Sequence, residues 1–121
     1  MWGRIHRGEN RHRQVRSRSF GRLRCSLRGP AEHTVLDLEG ELDFAVDPEF
    51  AALVRALPQR IVAIDLSELE FIDAEGVALV TALARELGER AGLDEPAMIT
   101  GASGPIERTF DLVEGACLTL A

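Results

Sequence analysis

IVAIDLSELEFIDAEGVALV, residues 61–80, is the segment of the sequence that says most about its fold. Its first six residues, 61–66, are mostly apolar and rich in β-branched side chains, which predicts a central strand covered on both faces. Asp73 then stands at the N-cap of a predicted helix that ends near residues 88–92. The apolar stripe of this helix consists of Val80, Leu83, Ala84 and Leu87.

The residues before this stretch predict a hairpin and a helix. Residues 23–27 and 34–38 each alternate apolar with polar side chains, and a Gly-Pro pair supplies a turn between them, which predicts an N-terminal β-hairpin. Asp47 is a good helix N-cap and Pro48 a good first helical residue. The helix that they begin is stopped by a second proline, and its apolar stripe consists of Phe50, Leu53, Val54 and Leu57.

The residues after this stretch continue the alternation of strands and helices. AMIT at 97–100 predicts a short strand, residues 106–113 carry apolar side chains at helical spacing, and CLTL at 117–120 is compatible with a closing edge strand. Strands that alternate with helices predict an α/β domain. We expect one mixed β-sheet of about four to five strands, about three to four helices, and right-handed crossovers.

The charge of the chain is distributed unevenly. Residues 1–30 hold nine arginines and one acid, giving +8, and residues 31–121 hold five arginines and nineteen acids, giving −14. We therefore expect residues 1–21 to be a disordered, arginine-rich extension of a domain that spans residues 22–121. Nucleic acid is not expected as a partner except through that extension, because an acidic domain repels a polyanion. A natural start downstream of the extension is the other interpretation.

The sequence carries neither a membrane anchor nor a catalytic constellation. Its apolar runs are short, and the N-terminus lacks the apolar core of a secretory signal, so we expect a cytoplasmic protein. The three histidines lie in the N-terminal segment or the first hairpin, and lysine and phosphate-loop motifs are absent, so we expect no enzyme activity. Cys25 and Cys117 lack a metal-binding spacing, so no metal or other cofactor is expected. Two small core residues are the simpler interpretation, and a redox pair is the alternative.

The segment FIDAEG, residues 71–76, lies at the carboxyl end of the predicted central strand. Such edges of open α/β sheets bind partners and ligands. Asp73 is expected to cap the helix, with Glu75 and Gly76 in its first turn, where unpaired N–H groups favour acids. Helix capping alone explains both acids, and a binding edge is the functional alternative.

From about residue 23 to the C-terminus the chain resembles a STAS domain, the fold of bacterial anti-sigma factor antagonists and of the cytoplasmic tails of sulfate transporters. The resemblance rests on GELDFAVDPEF at 40–50, on residues 61–80, and on GPIERTFDLVEG at 104–115. The free-standing antagonist type is the closer match because no transmembrane segment is found. It implies a non-catalytic regulator that docks on an anti-sigma factor, which is also a serine kinase, and so frees the sigma factor for transcription.

The docking loop of that family commonly reads Asp-Ser-Ser-Gly, and phosphorylation of its second serine abolishes docking. In this chain Asp73 and Gly76 match the flanking positions, while Ala74 replaces the first serine and Glu75 the second. The resemblance therefore implies that this loop has lost its phosphorylation switch. The partner-binding residues that it implies are Glu41, Asp43, Asp73, Ala74, Glu75 and Gly76.

Two interpretations of Glu75 are open. A carboxylate carries less charge and fewer acceptor oxygens than a phosphoserine, so Glu75 either holds the loop in a weak-binding state or fits a different partner. We favour the second, because a partner with a basic patch gains from the charge of −14 on residues 31–121. The alternative function is an accessory subunit of a lipid-transport ATPase or of a stress-signalling complex, and a homodimer is left open.

Overall fold

Antiparallel strands form one half of the sheet and parallel strands the other. The computed structural model describes residues 16–114. Its elements are β1 Arg16–Phe20, β2 Leu23–Arg28, β3 Thr34–Leu42, α1 Glu49–Ala56, β4 Ile61–Ile72, α2 Ala74–Arg90, β5 Met98–Thr100 and α3 Gly104–Glu114. The strand order is β1-β2-β3-β4-β5, in which β1, β2 and β3 are antiparallel and β3, β4 and β5 are parallel. The predicted α/β fold with one mixed sheet and an N-terminal hairpin is confirmed.

The three helices within residues 16–114 lie on one face of the sheet. Strands β3, β4 and β5 are neighbours in chain order, and right-handed crossovers that step in one direction place the connecting helices on the same side. Helix α3 contacts both α2 and β4, so it lies in the same helical layer as α1 and α2. The helices and this face of the sheet share one buried apolar cluster, which includes Leu23, Leu36, Phe50, Leu66, Val80 and Phe110.

The opposite face of the sheet is polar, and none of the described helices covers it. We call it the open face, and its polar members on β2, β3 and β4 are Arg24, Ser26, Arg28, Asp37, Glu39, Asp65, Ser67 and Glu68. The prediction that the strand at 61–66 is covered on both faces is therefore wrong. Asp65 interrupts the apolar run at 61–66, and its carboxylate pairs with the Arg28 guanidinium of β2 at 3.0 Å. That partner comes from a distant strand, so the local pattern gave no sign of it.

Strand β1 lies in the segment that we expected to be disordered. It pairs antiparallel with β2, from Arg16 opposite Leu27 to Phe20 opposite Leu23. Phe20 is buried, and its ring meets that of Phe50 edge to face, with centroids 5.7 Å apart. One aromatic anchor and the backbone ladder thus hold a strand of otherwise charged or small residues, and such charges protect an edge strand from further pairing.

The described sheet begins at residue 16, inside the segment 1–21 that we expected to precede the domain. Residues 1–15, the strand considered at 117–120 and Cys117 fall outside the described residues. Within the described part of the chain, no helix combines the length and apolar character that crossing a membrane requires.

Candidate functional site

Asp73 joins the first turn of α2 to the loop after β3. Its Oδ1 accepts a hydrogen bond from the Gly76 N–H at 2.9 Å, and its Oδ2 accepts one from the Phe44 N–H at 3.1 Å. The Asp73 N–H donates to the Leu42 carbonyl oxygen at 3.3 Å. The predicted N-cap is confirmed, and the same carboxylate also holds the β3–α1 loop in place.

Gly76 allows α2 to begin directly against the end of β3. A Cβ at this position would stand 2.5 Å from the Leu42 carbonyl oxygen and 2.7 Å from Cγ1 of Ile72. Both distances are well below van der Waals contact. Gly76 is buried, whereas Ala74 and Glu75 before it are exposed. Packing therefore requires the glycine, while the two residues before it face solvent.

An open cavity of about 350 Å³ lies where the β3–α1 loop, α1 and the start of α2 meet. We call it the edge cavity, and its lining consists of Asp43, Phe44, Val46, Asp47, Pro48, Ala51, Arg55, Glu75 and Leu79. Five of these residues are apolar, three are acids, and the ninth, Arg55, pairs with Glu86 outside the lining. Phe44 is 78% exposed, although large apolar side chains are usually buried. An apolar floor within an acidic rim at the carboxyl end of parallel strands has the form of a partner site.

Two acids of the loop shape the backbone around the edge cavity. Asp43 Oδ1 accepts from the Ala45 N–H at 3.0 Å, and the Val46 N–H donates to the Asp43 carbonyl oxygen at 3.0 Å. Asp47 Oδ1 accepts from the Glu49 N–H at 2.9 Å. Helix α1 begins at Glu49, so Asp47 still serves its first turn although the helix starts one residue later than predicted. Both acids therefore support the loop and line the cavity at once.

Of the six predicted site residues, Asp43 and Glu75 line the edge cavity. Asp73 holds the loop of Phe44 and the Gly76 N–H, and Ala74 is the exposed first residue of α2. Glu41 stands apart from them. Its Oε1 accepts from Nη1 of Arg22 at 2.9 Å, and this contact raises the pKa of the Arg22 guanidinium. Glu41 also lies opposite Phe71, which is 47% exposed. The structure thus places Glu41 beside the β1–β2 turn and outside the cavity lining.

The match to a protein-family model covers most of the described residues. Residues 25–113 match the family described as "Mlab, STAS domain". The chain belongs to the STAS family. A search of curated proteins found no match.

Two solved structures share the fold of this STAS domain. One is an anti-sigma factor antagonist from Mycobacterium paratuberculosis, with 18% identity, a TM-score of 0.61, and coverage of 81% of this chain and 84% of that chain. The other is the anti-sigma factor antagonist SpoIIAA in its unphosphorylated form, with 23% identity, a TM-score of 0.54, and coverage of 80% and 87%. Because both identities are below 25%, the similarity to these two structures shows a shared fold and nothing about function.

The site of this STAS domain includes apolar residues that the sequence did not single out. Phe44, Val46 and Leu79 all line the edge cavity. A large apolar residue within the acid-rich loop GELDFAVD was the available signal for Phe44. Val46 and Leu79 are half-buried, and apolar residues of that kind are typical of ordinary packing. Among residues 16–114, no group of three His, Cys, Asp or Glu side chains is placed to hold a metal ion.

Proposed function

We propose that this STAS domain is a cytoplasmic, non-catalytic regulator that docks on an anti-sigma factor with serine kinase activity and so controls sigma-factor-dependent transcription. The observation that carries the proposal is the edge cavity, where the exposed Phe44 stands among Asp43, Asp47 and Glu75. An aromatic anchor within a polar rim concentrates binding energy in protein interfaces. Family membership and the fold shared with two named antagonists support this choice of partner.

Glu75 gives the edge cavity a charge that needs no modifying enzyme. It is exposed in the first turn of α2 and lines the cavity, so a docked partner meets its carboxylate directly. A serine at this position acquires negative charge only by phosphorylation. We therefore infer that the partner carries arginine or lysine opposite Glu75, because complementary charges favour the encounter and the correct register.

Calorimetric titration with the anti-sigma factor kinases of the same organism tests this proposal. We expect Phe44→Ala to weaken binding by about 2 kcal/mol, roughly thirtyfold in affinity, as truncation of an interface anchor does. Met98→Ala is the matched control, since Met98 is 50% exposed on β5 and does not line the edge cavity. No binding to any of these kinases, or an equal loss in the control, would contradict the proposal.

A phosphorylation assay tests the loss of the switch. With the cognate kinase and ATP, the wild type should remain unmodified at residues 71–80, and Glu75→Ser should become an acceptor, because residue 75 is exposed at the start of α2. Thr81 is only 3% exposed, so it offers the kinase no accessible hydroxyl. Residues 71–80 hold no hydroxyl, so phosphate found on Ser67 or Thr81 of the wild type, the hydroxyl residues that flank them, would refute this interpretation of the loop.

A second candidate is an accessory subunit of a lipid-transport ATPase or of a stress-signalling complex. Neither Ala74 nor Glu75 carries a hydroxyl, so docking that is not regulated by a kinase suits this loop. The matched family is also described as Mlab and not as an antagonist. Purification of the tagged full chain from its own organism distinguishes the two candidates. A transporter ATPase as the stoichiometric partner favours the second, and a serine kinase favours the first.

A further inference from the structure

The two exposed phenylalanines of the protein flank the same strand end. Of its five phenylalanines, Phe20, Phe50 and Phe110 are buried, whereas Phe44 is 78% exposed and Phe71 is 47% exposed. Phe44 lines the edge cavity and Phe71 does not. Apolar residues scattered singly over a surface are ordinary, but these two lie together, so the position of Phe71 is informative.

Phe71 lies at the carboxyl end of β4 on the open face. Its neighbour Ile72 is buried on the helix side, and side chains alternate across a strand, so Phe71 lies on the other side of the sheet. It is opposite Glu41 of β3, whose Oε1 accepts from Arg22 Nη1 at 2.9 Å. The exposed ring therefore lies beside an ion pair without net charge, whereas the edge cavity contains three acids.

Asp73 connects the two phenylalanines. Its Oδ2 accepts from the Phe44 N–H at 3.1 Å, and Phe71 precedes it by two residues, about 7 Å of extended backbone. The backbones of Phe44 and Phe71 are therefore within roughly 15 Å of each other. A standard interface of about 800 Å² per partner corresponds to a disc roughly 30 Å across. One partner seated on this strand end is large enough to cover both rings.

We propose that the partner straddles the carboxyl end of the sheet and buries Phe71 in an apolar pocket, while its basic residues meet Glu75 on the helix side. The inference rests on the proposed function, which places the anti-sigma factor kinase at the edge cavity. Protein interfaces concentrate their binding energy in a few aromatic anchors within a polar rim. Glu41 then belongs to the interface through its position beside Phe71, although it lies outside the cavity lining.

A second anchor also determines the orientation of the partner. Phe44 alone leaves the partner free to rotate about one point of contact. Phe71 lies on the other side of the sheet, so a partner that contacts both rings is held in a single orientation. In that orientation its basic residues are aligned with Glu75, which lines the edge cavity.

Hydroxyl-radical footprinting of the wild-type full chain tests the inference without any substitution. Phe44, Phe71 and Met98 are all substantially exposed, so each should be oxidised in the free protein. In the complex with the kinase, oxidation of both phenylalanines should slow severalfold. Oxidation of Met98 should not change, because Met98 pairs with Ala63, about 25 Å along β4 from Phe71.

The footprint separates failure of this inference from failure of the proposed function. Unchanged oxidation of Phe71 in a complex that protects Phe44 would overturn the inference and leave the proposed function standing. Absence of a complex with every anti-sigma factor kinase would contradict the proposed function, and the inference would fall with it. Protection of Met98 to the same degree would show that the kinase covers the sheet generally, which would also overturn the assignment of Phe71 as an anchor.

Calorimetric titration of Phe71→Ala measures the strength of the second anchor. We expect the Kd to rise on the order of tenfold. This loss should be equal at low and at molar salt, because the ion pair beside Phe71 has no net charge, whereas the loss caused by Glu75→Gln should shrink as salt screens its charge. Wild-type affinity in Phe71→Ala, or a loss that disappears at molar salt, would overturn the inference.

Urea unfolding of Phe71→Ala is the control for folding. Its unfolding midpoint should stay close to that of the wild type, because nearly half of the side chain is already exposed. If the variant is clearly destabilised, the footprint of Phe71 in the wild-type complex decides the question alone.

Discussion

Replacement of Asp73 by alanine should destabilise the domain by about 2 kcal/mol. The carboxylate accepts two backbone hydrogen bonds, from Gly76 at 2.9 Å and from Phe44 at 3.1 Å. Loss of an acidic N-cap costs about 0.5–2 kcal/mol. Loss of the bond to the loop adds about 0.5–1.5 kcal/mol, the net value of a typical hydrogen bond, because the Phe44 amide can turn to water. The expected range is therefore about 1–3.5 kcal/mol.

Asparagine at the same position separates the two bonds. Its side-chain oxygen can cap α2 through the Gly76 N–H, but its NH₂ group cannot accept the Phe44 N–H. Asp73→Asn should therefore cost only about 0.5–1.5 kcal/mol while it releases the loop that carries Phe44. If Phe44 is the anchor of the partner interface, the asparagine variant should lose more binding free energy than folding free energy.

Urea unfolding followed by far-ultraviolet circular dichroism measures these changes. In a domain of this size each kcal/mol also lowers Tm by about 4–8 °C. Asp94→Ala is the control, since Asp94 is exposed and lies after α2. An alanine variant of Asp73 within about 0.5 kcal/mol of the wild type, the range of an ordinary surface substitution, would refute the role assigned to the carboxylate.

Three further predictions test the packing and the charges. Gly76→Ala should destabilise by about 1–3 kcal/mol, because its Cβ meets a carbonyl oxygen at 2.5 Å; Gly104→Ala, whose Cβ meets no atom within 4 Å, should not do so in the same urea assay. Burial raises the pKa of the Cys25 thiol to about 11. In a Cys117→Ser background, Ellman's reagent should therefore react with Cys25 only after the protein unfolds. Rapid reaction with the native protein would contradict this prediction. Arg55, the partner of Glu86, lowers the pKa of the Glu86 carboxyl. The stability that this ion pair contributes is present above the unfolded pKa of Glu86 and is lost as pH falls through its folded pKa. Glu86→Gln should therefore lower the free energy of unfolding in urea titrations at neutral pH but not at a pH below the folded pKa.

Local sequence patterns predicted the elements whose structure is determined by nearby residues. The hairpin, the start of α2 at Asp73 and the end of α2 between residues 88 and 92 are confirmed, since Arg90 is the last helical residue. Alternation, capping and helical spacing act within a few residues, so they can be interpreted without knowledge of the fold.

Contacts between distant parts of the chain account for what the sequence did not reveal. Strand β1 depends on the ring of Phe20 against Phe50, thirty residues away, and RSRSF has the composition of a solvated segment. The polar side of β4 depends on Arg28 reaching Asp65 from β2. The loop that carries Phe44 and lines the edge cavity is likewise bonded to Asp73, which lies twenty-nine residues away. In each case the deciding partner lies on another element.

The same contacts explain why the fold tolerates a substitution at residue 75. Asp73 is constrained by two backbone hydrogen bonds and Gly76 by the close approach of β3, whereas Ala74 and Glu75 are exposed. An exchange at residue 75 therefore alters the charge of the edge cavity with little effect on folding, as for other exposed helix positions. If Glu75→Ser changes partner binding and leaves urea stability unchanged, the effect must arise at the interface. The acid is then best explained by what the partner presents, since the fold does not require it.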